Sequence, residues 1–495
     1  MNVLLGIDMG TGSTKGVLVD AAVGSVLATE TIPHSMDLPR PGWAEVDAEL
    51  VWWREICAIG TSLMAEMPSG GRLAGVCVSG VGPCLVLCGD DLAPLRPAIL
   101  YGIDTRATAE IASLTAEFGE ENILQQAGAA LSSQAVGPKL EWVYSHEPEV
   151  FERATGWYGS NSFIAAKLTG EYVMDHHTAS QCDPLYATRD FDWNRQWANR
   201  ICRHLPLPRL AWPSDAVGSV TAEAASATGI PVGTPVSAGT VDAYAEAFSV
   251  GVRRPGDQML MYGSTMFLVQ VIADYYSDPT LWTTVGVEKG SLALAAGTST
   301  AGSLIGWLQG ITGGPSFDDL TKEAMEVPPG SDGLIMLPYL AGERTPVFDP
   351  QARGVLAGLT MRHGRGHVFR AAYEGIAFGI RQILELFGDA HAAQRTVAVG
   401  GGLRSPVWAQ AVSDVTGRTQ LIPEQAIGAS YGDALLAAIG VGLVSPDTDW
   451  ATIAREIAPD PGKRALYQNL YETWRELYPA TRDVMHRLSA EANPR

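Results

Sequence analysis

Val3-Leu4-Leu5-Gly6-Ile7, then Asp8-Met9-Gly10-Thr11-Gly12-Ser13-Thr14, then Lys15-Gly16-Val17-Leu18-Val19 is an apolar run, a turn rich in glycine and hydroxyls, and a second β-rich run. That order predicts a hairpin with a glycine-rich tip. A related piece returns as Gln258–Tyr262, Gly263-Ser264-Thr265 and Met266–Ile272. Each half also carries a later strand ending in glycine: Leu73–Val78 before Ser79-Gly80, and Thr396–Val399 before Gly400-Gly401-Gly402. Solenoid repeats need a much shorter period, so the reading is a duplicated α/β unit. The boundary is expected within 246–256, around Val252-Arg253-Arg254-Pro255-Gly256, giving halves 1–250 and 251–495. No Pro-rich linker separates them, which predicts two lobes hinged by short connections.

Size and composition agree. A chain of 495 residues exceeds what one core usually supports, and 46% hydrophobic against 18% charged residues is the profile of a globular α/β enzyme. The net charge of −20, without a basic cluster, argues against nucleic acid as a partner. Six cysteines without a CxxC pair argue against a zinc site or disulfide framework and suit a reducing cytoplasm. Asp8 interrupts the short N-terminal apolar run, so no secretory signal is expected. The longest uncharged stretch, 290–317, is too rich in Gly, Ser, Thr and Gln for a membrane span. It reads as a strand (Leu292–Ala296), a turn and the start of a helix. Near the C-terminus, Tyr467, Leu470, Tyr471, Trp474, Leu477 and Tyr478 form one apolar helical stripe, expected to face the core.

The tip Gly10–Thr14 can turn several backbone N–H groups toward one anion, which suits a phosphate chain. It has neither P-loop nor Rossmann spacing. Taken alone, a glycine-rich hairpin is more often an ordinary turn than a ligand site. Asp8 would stand at the mouth of a phosphate site and could hold Mg²⁺ through water, or could simply accept turn N–H groups. Asp242, after Pro235-Val236-Ser237 and before an Ala-rich helical run, is either a helix N-cap or a general base for phosphoryl transfer. The nine histidines contain no HxxxH pair, and no GxSxG elbow supports serine hydrolysis.

With these residues in view, the chain resembles the FGGY carbohydrate kinase family over essentially its whole length. The most specific stretch is Leu337-Pro338-Tyr339-Leu340-Ala341-Gly342-Glu343-Arg344-Thr345-Pro346, continuing through Asp349-Pro350 and Ala352-Arg353-Gly354 to His367-Val368 and Ala371-Ala372-Tyr373-Glu374. In order along the chain also lie Pro41-Gly42-Trp43-Ala44-Glu45, Trp52-Trp53, Lys139-Leu140-x-Trp142-Val143, Asp242, Gly263-Ser264-Thr265 and Gly400-Gly401-Gly402-x-x-Ser405-x-x-Trp408. The N-terminal signature is only partly kept, with Val136 where a small polar residue or proline is usual.

The resemblance implies two actin-like, ribonuclease-H-like lobes with ATP in an interlobe cleft. By that analogy Asp242 is the catalytic base and also touches substrate. Gly10, Thr11, Gly12, Ser13, Gly263, Ser264 and Thr265 bind ATP phosphates; Gly302, Gly401, Gly402 and Ser405 complete the ATP site; Asp8 holds hydrated Mg²⁺; and Gly82, Pro83 and Asp104 line the sugar. The implied cofactors are ATP and Mg²⁺. The implied partner is a small sugar or polyol, with neither nucleic acid nor membrane and with room for a homodimer. Motif order is closest to xylulokinases, which makes D-xylulose the leading single substrate among ketopentoses. Kinases of gluconate-like, ribulose-like or erythritol-like substrates are the alternatives. Pro83 stands where xylulokinases typically carry histidine and Ala243 where they carry asparagine, two losses of hydrogen-bonding groups near the sugar. An actin-like ATPase or sugar sensor without kinase turnover is the rival of another class.

Overall fold

The first hairpin consists of strands Asn2–Met9 and Ser13–Asp20, paired antiparallel from Val3 with Asp20 to Met9 with Thr14. It outruns the expected strands because the ladder continues through Asp8 to the turn itself. Successive side chains alternate faces. Val3, Leu5 and Ile7 pack with Ile56, Ile59 and Leu63 of helix Arg54–Ala65, while Leu4 packs with Leu435, Leu436 and Ala438 of helix Ala429–Gly440. Both faces are covered, which is why these strands read as nearly continuous apolar runs.

The computed structural model describes residues 1–425 and 427–492, and its contacts divide the chain into two units. The first holds Met1–Arg253, Ala273–Ala293 and Ile427–Ala451; the second holds the other described residues. Arg253 fastens the three segments of the first unit, pairing with Glu288 and donating to the carbonyls of Pro446 and Thr448.

Sheet order makes the duplication explicit. In the first unit the strands run Ala216–Ser219, Pro235–Ser237, Arg72–Gly80, Asn2–Met9, Ser13–Asp20, Val26–Pro33. In the second, the sheet contains in the same sense Ile453–Ile457, Gln420–Pro423, Arg395–Val399, Asp257–Tyr262, Met266–Ile272 and Leu292–Gly297. Each hairpin is antiparallel, and each first strand runs parallel to the strand that ends in glycine.

The stretch 290–317 forms strand Leu292–Gly297, a turn and helix Gly302–Ile311; among the described residues no helix is long and apolar enough to cross a membrane. Tyr467, Tyr471 and Trp474 of the stripe on helix Arg464–Ala492 are buried, with Tyr467 bonded to Glu374 and Trp474 to the Met336 carbonyl. Within the signature stretch, Glu343 accepts the N–H groups of Ser299 and Arg344, and Asp349 binds Tyr478 and His486. Those charges therefore tie together segments of the second unit.

Candidate active site

In the first unit the ends of three neighbouring segments converge. The Val81 N–H bonds the Met9 carbonyl at 2.7 Å and the Gly80 N–H bonds the Thr240 carbonyl at 3.1 Å, so the segments following Met9, Gly80 and Gly239 leave the sheet side by side. Gly239 makes this possible: its φ is +70°, and a Cβ there would lie 1.9 Å from the Val78 carbonyl oxygen. Val241 then serves as the cap position, and Asp242 is the first residue of helix Asp242–Ser249 rather than its cap.

Asp242 is half-buried and, among the described residues, accepts only the N–H of its neighbour Ala243, at 2.7 Å. Burial pushes its pKa up to about 7, opposed by that N–H and reinforced by Glu246 one turn along the helix. Asp8 is raised well above the ordinary carboxylate range by burial and then by Asp242, Asp433 and Glu246. Ser79 Oγ donates to Asp433 at 2.7 Å and stands 3.4 Å from Asp8, and burial likewise drives Asp433 upward. Four carboxyl groups in one small region favour a proton or an external cation. Among the described residues no three His, Cys, Asp or Glu are placed to chelate a metal directly. A carboxylate beside a glycine-rich turn fits a cation that keeps its water shell, as Mg²⁺ does.

The tip is closed by Gly10 N–H on the Ser13 carbonyl, and Thr11 Oγ1 meets Tyr101 OH at 3.0 Å. Tyr101 opens the turn that carries Asp104, whose N–H returns to the Tyr101 carbonyl. Asp104 itself is turned inward: its oxygens take the Ala44 N–H, the Arg106 N–H and the Arg106 guanidinium, and its side chain has no exposed surface. Arg106 in turn stacks 3.9 Å over Trp43 and pairs with Glu45. In this arrangement Asp104 fixes the loop that follows Tyr101. Gly82 lies against Val241, the residue before Asp242, and Pro83 is buried.

The second unit holds a cavity of about 650 Å³, within the usual range for small-molecule sites. It brings together six expected residues, Gly263, Ser264, Gly302, Gly401, Gly402 and Ser405. Thr265 adjoins the cavity without lining it; its carbonyl receives the Gly263 N–H. A Cβ on Gly302 would stand 2.5 Å from the Gly263 oxygen, so glycine is required for the tip to rest on helix Gly302–Ile311. Tyr373 and Trp408 stack at 5.8 Å along one wall, a surface suited to a flat base.

The sequence reading marked Tyr101 only as the aromatic three residues before Asp104, and passed over Asp433, Glu246 and the walls Tyr262, Ser303 and Phe317. Asp433 did carry a signal, being the sole charge in the otherwise apolar and small Ala429–Gly440 helix. The aromatic walls carried none, because aromatics are core residues nearly everywhere else in this chain.

Known proteins resemble this chain in sequence and fold. The family models for the N-terminal and C-terminal domains of the FGGY family of carbohydrate kinases match residues 3–249 and 259–441. The xylulose kinase of Lactococcus lactis is 30% identical across 99% of both chains, and the gluconokinase of Bacillus subtilis 27% identical across 89% of this chain and 87% of that one. The crystal structure of xylulose kinase from Rhodospirillum rubrum superposes with a TM-score of 0.90 at 34% identity, covering 98% of this chain and 100% of that one. The chain therefore belongs to the FGGY family of carbohydrate kinases, enzymes of actin-like, ribonuclease-H-like fold that phosphorylate sugars with ATP.

Proposed function

We propose that this kinase phosphorylates a ketopentose, with D-xylulose first among the candidates, and that Asp242 is its general base. The observation that carries the reading is the state of Asp242: a half-buried carboxyl with one N–H partner and a pKa of about 7, beside a glycine-rich tip and a second carboxylate. A base poised near neutrality accepts the acceptor hydroxyl proton as the phosphoryl group transfers, and is not so basic that it is already protonated at working pH.

The rest of the transfer depends on positioning and electrostatics. Gly10, Thr11, Gly12 and Ser13 would hold phosphate oxygens with backbone N–H groups and hydroxyls, and Gly263, Ser264 and Thr265 would do the same from the second unit. Gly302, Gly401, Gly402 and Ser405 would hold the adenosine. Asp8 would hold Mg²⁺ through water; when bound, that ion neutralises charge on the phosphate oxygens. Gly82, Pro83 and the loop fixed by Asp104 would shape the sugar site. The halves 1–250 and 251–495 then divide the work into sugar binding with the first phosphate loop, and adenosine binding with the second. The six cysteines are all free, in keeping with a reducing cytoplasm.

Xylulose kinases among the relatives favour D-xylulose. The gluconokinase relative favours a sugar acid as the second reading. Pro83 and Ala243 offer no side-chain hydrogen bond, so other groups must recognise the hydroxyls they would have met. Steady-state kinetics over ketopentoses, polyols and sugar acids decides the matter. D-xylulose with the highest kcat/KM supports the proposal, and a sugar acid ahead of it by about tenfold or more overturns it.

A further inference from the structure

His34 follows strand Val26–Pro33 and grips the first tip twice. Its backbone N–H bonds the Gly12 carbonyl at 3.0 Å, and its ring Nε2 lies 3.0 Å from the Gly10 carbonyl oxygen. The other ring nitrogen, Nδ1, lies 2.8 Å from Glu55 Oε2, which also receives the Thr14 hydroxyl at 2.6 Å. Both side chains of the pair are only 6% exposed.

A carbonyl oxygen only accepts, so Nε2 must carry a proton. The Glu55 carboxyl at Nδ1 holds the ring from the other edge, so its orientation toward the tip is fixed at both nitrogens. The consequence for the tip follows from the planar trans peptide, in which C=O and the next N–H point opposite ways. Holding the Gly10 and Gly12 carbonyls toward His34 turns the Thr11 and Ser13 N–H groups to the other side.

We propose that His34, anchored by Glu55, is a positioning residue that holds the Gly10 and Gly12 carbonyls and so aims the Thr11 and Ser13 N–H groups at the ATP phosphates. This rests on the assignment of Gly10–Ser13 as a phosphate loop. The charged groups facing it are Glu55 from helix Arg54–Ala65 and Asp8 from the first strand, whose Oδ2 lies 3.8 Å from where a Gly10 Cβ would stand. Glu30, on its own strand, is bonded to Ser62, and the Lys15 ammonium on the second strand is bonded to the Ile427 carbonyl.

The test joins three measurements on the full chain. His34→Gln should raise KM for ATP about tenfold while KM for sugar stays within about twofold. Glu55→Gln, which loosens the ring's anchor while keeping its shape, should raise KM for ATP in the same direction but by less, with kcat within about twofold. A merely structural role would lower kcat and thermal stability and raise KM for sugar along with KM for ATP, and that pattern overturns the proposal. Thr11→Val separates the two levels. If it raises KM for ATP and His34→Gln does not, the His34 role fails alone; if neither does, the phosphate-loop assignment fails and the His34 role with it.

Discussion

The two glycine-rich tips sit at matching places in matching sheets, yet they are held by different means. The Gly10 and Gly12 carbonyls are held by one histidine, through its ring and its N–H, and that ring leans on a buried glutamate. The Gly263 and Ser264 carbonyls are held by backbone N–H groups of residues 301–303 at the start of a helix. Asp8 in the first strand corresponds in register to Met261 in the second, and the clustered carboxyl groups Asp8, Asp242, Glu246 and Asp433 belong to the first unit. One scaffold carries this acidic cluster; the other carries an aromatic-walled cavity lined by one acid and one base, Asp318 and Arg404. The first tip should therefore respond to pH and to loss of charge, and the second to loss of space.

The largest effect should come from the first side. Asp242→Asn keeps the shape and the helix start but removes the base, so kcat should fall about a hundredfold or more while ADP affinity, read by calorimetry, stays near wild type. Turnover within about threefold of wild type in a folded variant would break the division of labour at its centre. On the second side, Gly302→Val places a side chain where the Gly263 oxygen sits and should weaken ADP binding about tenfold or more, with sugar affinity unchanged. Unaltered ADP affinity would remove the cavity from the nucleotide site.

The smallest effect sharpens the contrast in stability. Burial raises the folded-state pKa of Asp433, so its stabilising contribution is complete below the unfolded carboxylate value of about 3.9 and is lost as pH rises through the raised folded value. Asp433→Asn has no proton to lose. Its apparent melting temperature should exceed that of wild type by about 1–3 °C at pH 8, the difference closing toward pH 4. A variant less stable at pH 8 would mean the hydrogen bonds from Ser79 and Cys77 outweigh the charge.

Much of this was legible in the sequence, and for physical reasons. Alternation and glycine tips report strands and turns locally, so the paired hairpins and the strands that end in Ser79-Gly80 and Gly400 could be read directly. Asp242 could be marked as a candidate but not chosen over a cap, because that choice depends on which strand ends lie beside it. His34 and Glu55 were invisible as a pair: they meet only because helix Arg54–Ala65 crosses the sheet where the third strand ends. Asp104 shows the opposite limit, since spacing marks a polar residue near the site but not whether its oxygens face the sugar or Arg106.

The most direct test of the central claim is the pH dependence of kcat/KM for the sugar in the wild-type enzyme, which reports groups of the free enzyme. A carboxylate base with a pKa of about 7 must lose its proton to act, so kcat/KM should rise with pH along a single-proton limb centred near 7, while ADP affinity shows no such limb. A profile that is flat from about pH 5.5 to 8 would contradict the assignment of Asp242 as the base.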